Sequence, residues 1–341
     1  MLDKLFESLY LKVFVNIVIK EKSILVYIEI HSKKGVIDNV QSEFETLEVT
    51  EKMIDFIQGY IKESPYFYIS ILDNSLEQGA LPTCKKNDFA LYYDISSCEY
   101  KCYEKRWTYY TSKAELYTLE KKFSELGVDF IFSPFLIVEN FFQDKIKGSL
   151  ALYALVEENF ISLAIFEESK LLYAEHIDIH TKDEDDELFL VANTNDEEDL
   201  HLDEQKDGID LEDIDIDEDD ELEDFADIED LDSIEEIEEF EESKDIEEEL
   251  LESDTVFDEP DEENFNEDYQ RFIAIQSSIN RFYKDERYES RFIENIYIAD
   301  SVSVSSDFKK YLEEEMFFNV YIRHVEIEAE LCELAKEELG L

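Results

Sequence analysis

The sequence predicts a mixed α/β protein of two lobes, the second interrupted by a long acidic insertion. Three observations lead to this class. Along residues 1–147, period-two apolar runs alternate with 3.6-period stripes, the marks of strands and helices. After Gly148 the pattern restarts with three apolar runs. The tract from Asp183 to Asp268 then holds 46 of the 90 acids but only Lys206 and Lys244 as bases, a net charge of −44 that leaves −15 on the other 255 residues. The expected domains are a first lobe at 1–147, a second lobe at 148–182 plus 267–341, and a disordered insertion at 183–266.

In the first lobe, Leu11 to Ile19 and Ser23 to Ile30 are β-branched runs around a short charged turn, a hairpin signal, and a third strand is expected after Gly35. Thr50 to Lys62 sets Met53, Ile54, Ile57 and Ile61 on one helical stripe, ended by Ser64 and Pro65 before a strand at Phe67 to Leu72. Ser112 with Glu115 reads as a capping box ahead of Leu116, Leu119, Phe123 and Leu126, with Gly127 closing that helix. Phe130 to Phe132 reads as a strand, and Phe135 to Phe142 as a buried helix after Pro134.

The second lobe opens with a meander: Leu150 to Val156, Phe160 to Phe166 and Leu171 to Ile179. After the acidic tract come a helix on Phe272, Ile275, Ile279 and Phe282, a strand at Phe292 to Ala299 and a helix near Phe308 to Glu315. A strand at Phe317 to Ile322 and a helix on Ile327, Leu331 and Leu334 complete it. The insertion has too few apolar residues for its charge to offset the entropy of folding. Two readings of it stand: a solvated spacer, or a docking segment in which Leu231, Ile234, Ile237 and Phe240 form an acidic amphipathic helix on a basic partner.

Composition narrows the function. No basic stripe is present to displace counterions, which argues against direct nucleic-acid binding. No run reaches about 18 apolar residues, so membrane attachment is expected only through a partner. The seven glycines stand at least twenty positions apart, whereas phosphate-cradling loops need several within a few residues. There is no nucleophile elbow, and the five histidines lack an evident acid or nucleophile neighbour.

His176 and His180 have metal-ligand spacing for a helix, but on the third meander strand they stand about 13 Å apart and share no ion. Cys98 and Cys102, even with Cys84, lack a second cysteine pair for zinc, and with Cys332 the four show no disulfide framework, which fits a reducing cytoplasm. Asp213, Asp215 and Asp217 mimic a calcium loop but meet Glu218 where glycine is required and Asp224 where a bidentate Glu is required. Trp107, with Tyr109 and Tyr110, reads as core rather than an exposed patch. No catalytic, cofactor or metal residue is assigned.

The element order resembles the duplicated core of the actin, sugar kinase and Hsp70 superfamily, a ribonuclease H-like fold. More narrowly it resembles the PilM and GspL proteins of type IV pilus, type II secretion and DNA-uptake (competence) machines. The stretches that carry the resemblance are KRWTYYTSKAELYTLEKKFSELGVDFIFSPFLIVENFF, GSLALYALVEENFISLAIFEESKLLYAEHIDI and YQRFIAIQSSINRFYKDERYESRFIENIYIADSVSVSSDFKKYLEEEMFFNVYI, which cover most of Arg106 to Ile322 outside the tract. The resemblance implies a two-lobed actin-like ATPase fold with three nucleotide turns, and all three depart from the family pattern. Lys20, Glu21 and Lys22 replace the Asp- and Gly-rich turn between the first two strands. Glu157, Glu158 and Asn159 fill the second phosphate turn, and Ala299, Asp300 and Ser301 the adenosine-side Gly-Gly turn. Carboxylates there repel phosphate, and amide-exposing glycines are absent.

The expectation is a pseudo-ATPase without cofactor. It would be a cytoplasmic scaffold, peripheral at the inner membrane, bridging a secretion-type motor ATPase and membrane-anchored assembly proteins. Alternatives are a divergent nucleotide-binding relative using Glu157 and Asp300 as metal or base carboxylates, and an acidic chaperone or decoy for basic proteins.

Overall fold

Strand pairing follows from the alternation of side chains. On β1 (Lys12–Ile19), Val13, Val15 and Ile17 face one side and Phe14 and Val18 the other, all buried, so both faces of this central strand are covered. β2 (Ile24–Ser32) and β3 (Gly35–Phe44) extend the sheet antiparallel from β1, while β4 (Phe67–Leu72) and β8 (Phe130–Phe132) extend it parallel on the other side. The order is β3-β2-β1-β4-β8.

The second lobe repeats this plan. β9 (Ala151–Val156), β10 (Phe160–Glu167) and β11 (Lys170–Asp178) form the meander; β12 (Asn295–Asp300) and β13 (Asn319–His324) add parallel to β9, giving β11-β10-β9-β12-β13. Two sheets of the same strand order and the same antiparallel-to-parallel sequence are the duplicated core named above, and the fold is actin-like. The computed structural model describes residues 10–62, 64–180, 262–288 and 291–341.

Helices complete the layers. α1 (Glu51–Ile61) and α2 (Lys113–Lys122) cover the outer face of the first sheet, burying Met53, Ile57, Leu119 and Phe123 against Val13, Val15, Ile17, Ile69 and Ile71. α4 (Glu262–Lys284) and α5 (Ser306–Lys310, continuing as a π turn to Glu315) do the same for the second, through Ile275, Ile279, Phe282, Phe308 and Leu312. Two helices are exchanged across the middle. α3 (Pro134–Phe141), from the first lobe, packs on β9 and β10, and α6 (Ile327–Glu338), from the chain's end, packs on β1, β2 and β4. One core therefore runs beneath both lobes, joining Phe14, Val18 and Leu25 to Phe135, Ile137, Tyr153, Leu155 and Leu331.

The structure departs from the sequence expectation in several places. A third sheet, β5 (Gln78–Leu81), β7 (Trp107–Ser112) and β6 (Cys98–Tyr103), was not anticipated: its strands are short and β6 is mostly exposed, so no clear alternation marks them. Trp107 is core there, 1% exposed, its Nε1 donating to the Glu139 carboxylate at 2.7 Å. The capping box is not formed. Ser112 holds the N-cap position without a side-chain bond, and the Glu115 carboxylate instead accepts from the backbone N–H groups of Glu77 at 2.9 Å and Leu76 at 3.3 Å, tying α2 to the loop before β5.

The cysteine expectation is also corrected. Cys84 and Cys102 form a disulfide with Cα atoms 5.4 Å apart: β7 separates β5 from β6, and the chain three residues past β5 crosses over the start of β7, with Cys84 Sγ 3.2 Å from the Trp107 carbonyl, to reach β6. Cys98 and Cys332 are buried free thiols. Closing an 18-residue separation limits the unfolded chain, so Cys84→Ser is expected to lower stability by about 3 kcal/mol under oxidising conditions and to have no effect in dithiothreitol, as read by urea unfolding.

The expected disordered insertion at 183–266, with the stripe at Leu231 to Phe240 and the calcium-like run at Asp213 to Asp224, lies outside the described residues except where α4 begins at Glu262.

Candidate functional site

In sheets with parallel central strands, ligands gather outside the carboxyl ends of those strands. Here the ends of β1, β4, β9, β12 and β13 all open on one cavity of about 170 Å³ between the lobes. Its lining includes Lys20 and Glu21 from the β1–β2 turn, Asn74 after β4, Glu157, Glu158 and Asn159 from the β9–β10 turn, and Ser301 and Val302 after β12. His324, Glu326 and Glu328 close it at the start of α6. The three turns singled out in the sequence thus meet at one place. The lobes touch directly beside it, where the Glu21 backbone N–H donates to the Glu158 carboxylate at 2.8 Å.

Each acid has a distinct environment. Asp300, 6% exposed, accepts from the backbone N–H groups of Val302, Ser303 and Val304 at 2.9–3.0 Å; its carboxylate is occupied in shaping the turn after β12. That arrangement removes it as a candidate base. Glu157 differs: it is 9% exposed, and among the described residues no hydrogen bond reaches its carboxylate. Burial, with the neighbouring Glu158, pushes its carboxyl up to about 8. Glu328, likewise 9% exposed, lines the same cavity without a side-chain hydrogen bond among the described residues. The sequence singled out Glu157 but missed Glu328, which reads there as an ordinary helix-start acid. Lys20 carries positive charge in the lining, and its Nζ is already paired with the Glu43 carboxylate at 3.4 Å.

Behind the β9–β10 turn, Arg271 on α4 is 4% exposed, bound to Asp268 at 2.8 Å and reaching the Glu158 carbonyl at 3.3 Å. The Asp268 carboxylate also accepts from Ser305 N–H at 2.8 Å. This chain of bonds holds the turn and α5 against α4 and turns the guanidinium to a structural role.

The histidines do not converge. His176 lies on β11 and donates or accepts with Ser162 Oγ at 2.8 Å, stacked on Phe160; His180 lies two residues past the strand, 3.3 Å from Asn159 Oδ1. Among the described residues no three His, Cys, Asp or Glu side chains are grouped to hold a metal ion. Burial lowers His176 to about 4, against 6.5 ordinarily. A depressed histidine contributes stability fully present above pH 6.5 and lost as pH falls toward 4, about 3 kcal/mol in all. His176→Gln is therefore expected to unfold less steeply than the parent across that window in a pH series of urea melts.

Residues 152–340 match the family model described as Domain of unknown function (DUF8341). The chain belongs to this family. Residues 10–139 of this DUF8341 member also match a second model, Domain of unknown function (DUF8569), so the two matches fall on opposite lobes. No curated protein matches the chain. Among solved structures it is similar to a protein of Bacteroides thetaiotaomicron with actin-like ATPase fold and unknown function, at 11% identity over 96% of each chain with a TM-score of 0.44. It is similar to the PilM-PilN type IV pilus biogenesis complex at 8% identity over 91% of this chain and 87% of that one, TM-score 0.46. It is also similar to the ethanolamine utilization protein EutJ of Carboxydothermus hydrogenoformans, at 7% over 91% and 84%, TM-score 0.35.

Among the described residues no helix is long and apolar enough to cross a membrane.

Proposed function

We propose that this DUF8341 member is a non-catalytic scaffold with an actin-like fold whose cleft has lost nucleotide binding. The chemistry of the interlobe cavity carries the reading. Where a nucleotide's phosphates would need amide-exposing glycine turns and cations, the lining has Glu21, Glu157, Glu158, Glu326 and Glu328 against Lys20 and His324, and Lys20 is engaged by Glu43. Carboxylates in a partly desolvated cleft repel a polyphosphate more strongly than they would in water.

The finer reading is that it serves a type IV pilus, type II secretion or DNA-uptake machine, on the cytoplasmic side of the inner membrane, between a motor ATPase and membrane-anchored proteins. It rests on the sequence resemblance to PilM and GspL. The acidic tract would meet a basic partner surface, accelerating encounter at low salt.

The first test is thermal: magnesium-ATP at millimolar concentration is expected to leave the melting temperature unchanged, because a ligand that binds the folded state alone must raise it. A rise would overturn the loss of nucleotide binding. The second is affinity purification from gently solubilised membranes, comparing the full chain with a deletion of 183–266. Recovery of a motor ATPase and a single-span protein is expected; recovery of assorted basic proteins through the tract alone would favour a decoy. Location is tested by trapping thiols in cells. Disulfides persist in oxidising compartments and are rare in the cytosol, so four free thiols support a cytoplasmic site and two place the Cys84–Cys102 bond, and the protein, elsewhere.

A further inference from the structure

The interlobe cavity contains two carboxylates whose surroundings are incomplete. Glu157 at the end of β9 and Glu328 in the first turn of α6 are each nine-tenths buried, and among the described residues neither accepts a hydrogen bond. Their oxygens keep slight contact with water, since among the described residues Arg271 Nε is the only fully buried side-chain nitrogen or oxygen without a partner, and a largely desolvated acid is still costly unless it is protonated or met by a donor. Glu158, on the same turn as Glu157, is by contrast satisfied by the Glu21 N–H. Two kinds of lining dominate the rest: Glu21 and Glu326 add negative charge, and Val18, Leu25, Val325 and Ile327 supply apolar wall, alongside the basic groups Lys20, which Glu43 holds, and His324.

We propose that this cavity binds an alkylammonium or guanidinium cation, with Glu157 and Glu328 accepting from the charged head and the aliphatic wall taking the stem. A cation on a short apolar stem matches both kinds of lining at once, since such side chains bury their methylenes and place the charge on a polar partner. The N–H donors satisfy the two bare carboxylates with charge-assisted hydrogen bonds. A volume of about 170 Å³ accommodates a head group and a few methylenes. A divalent metal is a poorer occupant, because among the described residues no cluster of three ligating side chains is present. An anion is excluded by the sign of the lining. The head group's source is either a free amine or a lysine or arginine side chain of another protein, and the two are separable by experiment. The inference stands apart from the scaffold reading: partners could be recovered from cells with the cavity empty, and the cavity could fill in a protein with no envelope partner.

The test is hydrogen exchange of the full-length protein with agmatine at near-physiological salt and pH 9, where the Glu157 carboxyl, which titrates near 8, is ionised. Agmatine is expected to slow exchange at 18–25, 157–160 and 324–328. Glu157→Gln and Glu328→Gln should each weaken that protection about tenfold or more, the loss expected for one charge-assisted hydrogen bond. Both variants keep the side-chain shape, and Glu157→Gln removes a buried acid, so folding is retained. A capped Ala-Arg-Ala peptide that protects these segments at least as well as agmatine identifies a protein side chain as the source; protection by agmatine alone identifies a free amine. The proposal is overturned if agmatine leaves these segments unchanged, if both variants respond as the parent does, or if magnesium-ATP protects them instead. Binding of agmatine to the acidic tract is distinguished because it leaves 157–160 and 324–328 unaltered.

Discussion

Replacing Lys336 by methionine is expected to destabilise the protein by about 3–5 kcal/mol, the range for removing one partner of a buried ion pair. Lys336 on α6 meets Glu29 on β2 at 2.6 Å, and both side chains are 9% exposed. Burial opposes ionisation of Glu29, but hydrogen bonds from Lys336, His31 and Tyr27 outweigh it and hold its carboxyl below the usual range. Burial likewise opposes charge on Lys336, and the hydrogen bonds to Glu29 and Glu333 overcome it and raise its pKa. The pair fastens a helix from the end of the chain onto the sheet at its beginning. Its loss leaves a carboxylate in a site built for a cation and loosens the contact between lobes. The double change Glu29→Gln with Lys336→Met should recover most of the loss, because no unpaired charge is left behind. Urea unfolding of the two single variants and the double checks this; a Lys336→Met variant within about 1 kcal/mol of the parent would show that the pair is not effectively buried.

Glu157→Gln is expected to stabilise the protein by an amount that grows as pH rises above about 4.5 and is complete above about 8. The carboxyl ionises near 8 when folded, against 4.5 ordinarily, with burial the main cause and Glu158 the second. Between those values the folded state holds a proton that the unfolded state has released. Stability from this group is thus intact below pH 4.5 and lost as pH rises to 8, by about 3–5 kcal/mol in total. Glutamine cannot ionise and escapes the loss. The charged and titratable groups facing Glu157 across the cavity are Lys20, Glu21, Glu158, His324, Glu326 and Glu328. Parent and variant should therefore melt alike at pH 5, while at pH 9 the variant should be the more stable. Equal melting at both pH values would mean that water or a bound cation already satisfies the carboxylate.

Much of the fold was legible locally. The near-continuous apolar runs Val13 to Ile17, broken only by Asn16, and Leu152 to Val156 mark strands buried on both faces, and Phe272, Ile275, Ile279 and Phe282 mark α4. Signals failed where local pattern is weak. Gln78–Leu81 is four residues long and fully buried, and Cys98–Tyr103 is largely exposed, so neither alternates clearly. Glu115 satisfied the capping-box spacing yet found its donors in a loop far away in sequence.

The sequence by itself determined the order of elements in the two main sheets, the place of the acidic tract, and the lack of glycine turns at the two phosphate-side positions and the adenosine-side one, because periodicity, net charge and composition are properties of neighbouring residues. Only the tertiary structure decided that those turns converge on one cavity, that Glu328 joins Glu157 there, that Cys84 pairs with Cys102, and that Lys336 closes on Glu29. Each of these depends on parallel strand pairing, strand order and the exchange of α3 and α6 between lobes, which bring together residues that no local pattern connects.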